Sequence, residues 1–351
     1  MQTVNNVNKY ICNADTTIFQ AMKKIENLGN KGNKRGRVNM FLLIVDKKNI
    51  LLGTLTDGDI RRGIISGLNI DSFVDQCMQK NPITGLLNED QNNKNILNEM
   101  NDGIDFLPIL DKKGCLKKVL INSPNKFELN AIIMAGGFGK RLGSLTKNTP
   151  KPLLHIEGLP IMERILSDIE NNKYFRKIFI STHYLSDKIE EYINNRNNLI
   201  EIKIIKEKNP LGTAGSIQYI ENIEKNHLLV VNGDILINLN FYSLVNFHNQ
   251  NKFDATIAIA RHEVKVPFGV IDFDKVGDFL DIREKPSIIN YVSSGIYVLS
   301  PKFQELCKTK NKLDMPELLS LGRSMNLKIG IFPLHEKWVD IGNIEDFKKV
   351  N

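Results

Sequence analysis

The chain has 351 residues, 42% hydrophobic and 25% charged, with 47 basic and 40 acidic side chains for a formal charge of +7, which is material for two or three packed globular units. Its longest apolar runs, at residues 40–45 and 227–231, are far shorter than the ~20 residues that span a bilayer, and its first residues carry no export or organelle signal. Residues 1–125 hold 17 basic and 13 acidic groups (+4) and the remainder 30 and 27 (+3), so the surplus is spread evenly; a membrane protein and a nucleic-acid binder are excluded, and the expected location is cytoplasmic.

Four cysteines, Cys12, Cys77, Cys115 and Cys307, lie far apart without a CxxC pair, and the six histidines show no metal-binding spacing. A disulfide framework and a zinc site are therefore not expected. In chain order, the first predicted elements are a helix at 17–28, a strand at 41–45, a turn at 46–49, a strand at 50–55 and a helix from Asp59. Lys31, Lys34, Arg35 and Arg37, in a glycine-bearing stretch before the first strand, read as a solvated loop. A helix at 94–100, a strand at 106–110, a turn at 111–114 and a strand at 116–121 repeat the layout, which predicts two small modules burying their faces on each other. A polar, proline-containing segment at 123–130 then breaks the pattern. It sets a boundary between a unit of residues 1–125 and one of 126–351.

Beyond it, strands at 131–134, 178–181, 200–205 and 228–231 alternate with helices at 161–171, 186–194 and 216–223. The alternation predicts an α/β fold with a mostly parallel sheet covered on both faces. Strands at 255–260, 269–272 and 292–299 and helices at 301–309 and 316–325 complete the chain.

The first of these strands runs into Ala135, Gly136, Gly137 and Gly139, followed by Lys140, Arg141, Lys147 and Lys151. Bare backbone N–H groups at the C-terminal end of a strand can approach phosphate oxygens, and the cations supply countercharge, so the segment predicts a polyphosphate site. It is neither of two better-known phosphate loops. Met134 and Arg141 stand where a Walker A loop needs glycine and Ser/Thr, and Leu142 stands where GxGxxG needs its third glycine. Asp234 ends the apolar strand at 228–231, on the sheet edge where open α/β folds bind ligands, and Asp340 follows 106 positions later. Taken by themselves, Asp234 reads as a turn-capping carboxylate and Asp340 as a helix-associated one.

The run Gly136-Gly137-x-Gly139-x-Arg141-Leu142, with Pro150-Lys151-Pro152-Leu153, resembles the signature of the sugar-1-phosphate nucleotidyltransferases, the NDP-sugar pyrophosphorylases. PLGTAGS (from Pro210), VVNGD (from Val230), PFGVIDFD (from Pro267), REKP (from Arg283), SSGIYVL (from Ser293) and WVDIG (from Trp338) extend the likeness in order over some 220 residues. The resemblance implies a Rossmann-like nucleotidyltransferase domain in which a sugar 1-phosphate attacks the α-phosphorus of a metal-bound NTP, with no covalent enzyme intermediate. It implies Arg141 on the triphosphate, Lys151 on the developing phosphate charge, Asp234 and Asp340 on Mg²⁺, and Gly212 and Thr213 beside the nucleotide. Gly269, Glu284, Lys285 and Ser294 would meet the sugar, although Ser293-Ser294-Gly295 departs from the Asn-Ala-Gly often found there.

PLGTAGS is most similar to the guanylyltransferase branch, which implies GTP as donor; thymidylyl, cytidylyl or uridylyl transfer is the alternative, and a non-catalytic nucleotide-sensing scaffold a third. The surroundings of Pro267 and Trp338 are most similar to guanylyltransferases that activate glucosamine 1-phosphate for legionaminic-acid-type pathways. In the N-terminal unit, Gly53, Thr56 and Asp59 in LLGTLTDGDIRR resemble the Gly-x-x-Thr-x-x-Asp of tandem CBS modules. That likeness implies an adenine nucleotide at Thr56 and Asp59 and a homo-oligomer, although Asp59 equally suits a helix N-cap; the second module, KVLINSPN, lacks the motif.

Overall fold

The computed structural model describes residues 1–31, 41–100, 106–122, 129–172, 174–221, 226–309 and 312–350. The side chains of Lys31, Lys34, Arg35 and Arg37 and the boundary near residue 125 lie outside the described residues.

The N-terminal part holds two sheets built by one plan. In the first, β2 (Ile11–Cys12) lies parallel to β3 (Phe41–Val45), which pairs antiparallel with β4 (Leu51–Thr56), while α1 (Ile18–Lys31) and α2 (Asp57–Ile65) flank them. In the second, β5 (Gly85–Leu86) lies parallel to β6 (Phe106–Leu110), which pairs with β7 (Leu116–Ile121); α3 is Asp90–Glu99, and β1 (Gln2–Val4) joins the far edge of β7. Corresponding positions meet where the halves touch. The rings of Phe41 and Phe106 stack with centroids 3.8 Å apart, and Ile50 bridges Cys115. This like-on-like contact bears out the repeat read from the sequence.

The C-terminal part centres on a seven-stranded sheet, in which β8 (Leu129–Met134) lies parallel between β11 (Phe175–Thr182) and β13 (His227–Asn232), and β12 (Glu201–Lys206) lies parallel to β11. On the other side β18 (Ser287–Leu299) and β15 (Ala255–Lys265) run antiparallel, and β19 (Ile329–Pro333) closes the edge parallel to β15. Alternating residues of β8 feed both faces. Ala131 and Ile133 pack with α4 (Ile161–Glu170), α5 (Ser186–Asn194) and α7 (Phe241–Gln250), and Ile132 packs with α6 (Gly212–Gly215), α8 (Pro301–Glu305) and α9 (Met315–Ser324). Smaller pairs are β9 (His155–Ile156) with β10 (Leu159–Pro160), β14 (Ile235–Ile237) with β20 (Trp338–Asp340), and β16 (Val270–Phe273) with β17 (Phe279–Arg283); α10 is Ile344–Val350. The mostly parallel α/β core follows the predicted alternation.

Three predicted elements differ. The helix expected at 216–223 is the single turn α6 followed by a 3-10 turn at Ser216–Tyr219, because Gly212, Gly215 and the β-branched Ile217 and Ile220 sustain a helix poorly. The helix expected at 301–309 divides into α8 and a 3-10 turn at Leu306–Thr309. The strand expected at 269–272 pairs with β17 alone, in a ribbon separate from the main sheet.

Candidate active site

The order of strands creates the site. From β8 the chain passes to β11 on one side and reaches β13 on the other, so the C-terminal end of β8 is a topological switch point, where open α/β sheets take ligands. Met134 pairs with Asn232, and the N–H of Gly233 donates to Met134 O at 2.9 Å. The glycine loop after β8 and the Gly233-Asp234 turn after β13 are thereby held side by side.

Gly139 adopts φ +63°, a left-handed conformation that glycine takes without steric cost. The Thr146 hydroxyl donates to its carbonyl at 2.9 Å, and the N–H of Leu142 does so at 2.9 Å. Gly136 passes close over His183 and Glu207, whereas nothing lies within 4 Å of a Cβ placed on Gly137. Beside the loop the half-exposed Phe138 meets His183 edge-on and tilts against Tyr184, with both centroid separations 5.5 Å, and Lys140 Nζ lies 5.3 Å from its ring. This is an aromatic surface on which a planar base can stack.

Lys151 follows Pro150 in a short 3-10 turn and is buried, and its Nζ lies 2.5 Å from Asp234 Oδ2. Asp340 arrives on β20, which pairs with β14 so that Asp340 faces Ile235 and the N–H of Ile341 donates to Asp234 O at 3.1 Å. Partial burial and the Asp234 carboxylate hold the Asp340 carboxyl above its ordinary range, against the pull of Lys151 and Arg141. The Arg141 guanidinium reaches the backbone at Gly342, at 3.6 Å from where a Cβ would stand. Arg141, Lys151, Asp234 and Asp340 therefore form one electrostatic cluster at the switch point.

Such a cluster suits phosphate chemistry. The cations neutralise anionic oxygens, and two mutually repelling carboxylates are a hard-oxygen donor pair for a divalent ion that takes its other ligands from water and phosphate. No group of three or more His, Cys, Asp or Glu side chains able to hold a metal occurs among the described residues.

The structure locates the other sequence candidates as follows. Gly212, at φ +83°, and Thr213 lie in the turn at α6; Thr213 N–H donates to Asp314 at 3.0 Å, and its hydroxyl accepts from Met315 N–H at 2.8 Å. Thr213 thus ties α6 to α9. Ser216 then contacts Met134 at the end of β8, with Oγ 3.6 Å from Sδ. Ser294 is buried, and its hydroxyl donates to Ala258 O on the neighbouring strand at 2.8 Å. Gly269, Glu284 and Lys285 are exposed and flank the strands of the separate ribbon. In the N-terminal unit, Thr56 and Asp59 cap α2 reciprocally: Thr56 N–H and hydroxyl both donate to Asp59 Oδ2 at 2.7 Å, and Arg62 holds Oδ1 at 2.5 Å.

Sequence reading missed several neighbours. Glu207 accepts from the hydroxyl of Ser181 and, at 2.9 Å, from the N–H of Leu211, bracing the glycine loop from behind. Asp346, on α10, adds negative potential at Asp340, and Arg61 of α2 is fully buried against β19 and Glu336. A lone acid or arginine in a helical or loop context carries no mark of such distant partners.

The nucleotidyl transferase family model matches residues 130–351, and the CBS domain model matches residues 4–66. The chain is similar to a mannose-1-phosphate guanylyltransferase catalytic subunit beta from Drosophila pseudoobscura pseudoobscura, with 28% identity over 65% of this chain and 64% of that protein. It is also similar to the bifunctional protein GlmU from Methanococcus aeolicus, with 31% identity over 64% of this chain and 54% of that protein. The chain spans less than two thirds of the length of these curated relatives. A crystal structure of a Bacillus anthracis protein assigned as a glucose-1-phosphate thymidylyltransferase shares the fold, with TM-score 0.51 and 21% identity over 64% of this chain and 94% of that one. Among the described residues no helix is long and apolar enough to cross a membrane.

Proposed function

The chain belongs to the nucleotidyl transferase family, and from that premise we propose that it transfers a nucleoside monophosphate from an NTP to a sugar 1-phosphate. An oxygen of the sugar phosphate attacks the α-phosphorus, the bond to the β-phosphate breaks, and NDP-sugar and pyrophosphate form. The observation that carries this reading is the convergence of Arg141, Lys151, Asp234 and Asp340 beside the glycine loop at the switch point.

Backbone amides of residues 136–139 hold the β- and γ-phosphates, and Arg141 neutralises them from the side of Gly342. Lys151, with Asp234 keeping it in place, offsets charge that grows on the α-phosphate as the pentacoordinate centre forms. Asp234 and Asp340 would hold Mg²⁺, which when bound supplies Lewis-acid neutralisation of the phosphates. Phe138 and the rings beside it take one face of the base.

We favour GTP as donor, supported by the likeness of PLGTAGS to guanylyltransferases and by the names of the mannose-1-phosphate relatives. Glucosamine 1-phosphate, in a pathway of the legionaminic acid type, is the favoured acceptor. Residues 1–125 serve as the regulatory and dimerising unit of a cytoplasmic homo-oligomer and residues 126–351 as the catalytic one. An adenine nucleotide at Thr56 and Asp59 has to compete with the Arg62–Asp59 ion pair. The test is a matrix of four NTPs against several sugar 1-phosphates with Mg²⁺, read as pyrophosphate release. GTP with a hexosamine 1-phosphate is expected to be fastest; a pyrimidine preference overturns the donor, and no turnover with any pair overturns the activity.

A further inference from the structure

A cavity of about 610 Å³ lies where the N-terminal unit meets the catalytic one, a size and a place typical of small-molecule sites. The helix α1 supplies one wall through Phe19, Lys23 and Glu26, with Asp57 beside it at the start of α2. Opposite stand Asp168 of α4, Asn171 at the end of that helix, and the loops at 238–242 and 335–337. Residues 130–351, which the nucleotidyl transferase model matches, contain only this second wall. The cavity therefore needs both units.

Its lining is selective. Arg61, from behind the wall, answers Asp57 at 2.7 Å and Glu336 at 2.8 Å, and burial holds the His335 imidazole below its ordinary range and so neutral. Lys23 and Lys337 then merely balance Glu26 and Asp168, so no positive field draws a nucleotide in. Among the described residues no hydrogen bond or ion pair reaches the Asp168 carboxyl. Arg164, one turn earlier on α4, is held by Ile156 O at 2.5 Å and Glu157 at 3.2 Å and acts on Asp168 only through space. A part-buried carboxylate without a bonded partner costs stability until a positively charged donor meets it. Asn171 and Asn238 add amides, which donate and accept at once as sugar hydroxyls do, and Phe19 and Met22 add an apolar stretch for the C–H face of a ring.

We propose that this cavity binds an amino sugar, its ammonium on Asp168 and its hydroxyls on Asn171 and Asn238, and that occupancy changes how the Asp234–Asp340 pair takes Mg²⁺. Only the effect on Mg²⁺ rests on the function proposed above. The link is the β14–β20 ribbon. At one end Ile235, which follows Asp234, faces Asp340; at the other Ile237 faces Trp338, and the residues just beyond them, Asn238 and Lys337, are cavity wall. Three residue pairs, or about 10 Å of strand, separate the two ends. A ligand bridging α1 and the loop at 238–240 ties this ribbon to the N-terminal unit, and an antiparallel pair carries that restraint to both carboxylates at once, as a coupling between two distinct sites requires.

Calorimetric titration of glucosamine into the full chain at pH 7 reads binding without turnover, and glucosamine has no phosphate with which to act as acceptor. Saturable binding is expected, weakened at least tenfold by Asp168→Asn, which keeps the shape of the side chain and removes its charge, and at least tenfold when glucose replaces glucosamine. No saturable binding, or binding that Asp168→Asn leaves unchanged, overturns the site; equal affinity for glucose overturns the ligand class. In the pyrophosphate assay, saturating glucosamine should shift the Mg²⁺ concentration for half-maximal rate at least threefold in wild type and not in Asp168→Asn. An unshifted curve, or a shift that both proteins share through competition at the catalytic site, overturns the coupling while the calorimetry still decides the site. Absence of turnover without glucosamine overturns the function proposed above and the coupling with it.

Discussion

Arg61 donates to Glu336 at 2.8 Å across 275 positions of the chain, joining α2 of the N-terminal unit to the segment that leads into β20 and Asp340. The guanidinium is fully buried; it also donates to Asp57 at 2.7 Å and to the carbonyl of Pro333, and lies 3.7 Å over the Phe332 ring. Burial works against the Glu336 carboxylate, but the charge and hydrogen bond of Arg61 together with His335 and a backbone hydrogen bond outweigh it and hold Glu336 below the usual range. Removing one partner of such a pair strands the other charge, so Arg61→Ala should lose about 3–5 kcal/mol in denaturant unfolding. Combined with Glu336→Gln the loss should be smaller than the sum by about 1 kcal/mol or more; strict additivity would contradict the coupling.

Asp168, on α4, gives a pH-dependent prediction. Burial raises its carboxyl from 3.8 to about 6, against a smaller pull from Arg164. A folded value above the unfolded one means that the ionised form is penalised only in the folded state. The penalty is absent below about pH 4, grows through pH 4–6 and is full above it, at roughly 3 kcal/mol. Asp168→Asn should therefore raise stability at pH 7.5, with the gain shrinking as the pH falls toward 4. A gain that stays constant with pH would count against this.

Two glycines of the phosphate loop separate backbone strain from ligand approach. A methyl group at Gly139 would stand 2.8 Å from Thr146 Cγ2 at φ +63°, so Gly139→Ala should lower both the melting temperature and NTP affinity. At Gly137 there is open space, so Gly137→Ala should leave melting unchanged yet raise the KM for NTP at least tenfold. Unaltered KM there would mean that phosphate does not approach that backbone.

The carboxylate pair is read by metal titration. Asp234→Asn should require far more Mg²⁺ for half-maximal rate, and Asp340→Asn likewise, while calorimetric binding of Mg²⁺-free NTP through the loop and Arg141 changes little. A Mg²⁺ curve that coincides with wild type for both variants would remove them from the metal.

Much of this architecture is written in local pattern. Apolar runs of four to six residues ending in glycine or Asn-Gly mark β8 and β13, and strand–helix alternation implies that their ends share an edge, which places Gly136 and Asp234 on one side of the sheet. Two features are not local. Arg61 looks like any helix-surface arginine in DGDIRRG, because Pro333 and Glu336 lie some 270 positions away. The ribbon alternates apolar and polar residues as a half-buried strand does, and only register shows that Ile271 and Ile282 cover each other outside the main sheet. Ser294 illustrates a third cause: alternation along β18 decides which of two adjacent serines points inward.

The most direct measurement is pyrophosphate release from GTP and glucosamine 1-phosphate with Mg²⁺, comparing wild type with Lys151→Ala and Asp234→Asn at matched folded concentration. Steady release by wild type, with turnover reduced at least a hundredfold in each variant, is the predicted result. Equal release by all three proteins would contradict it.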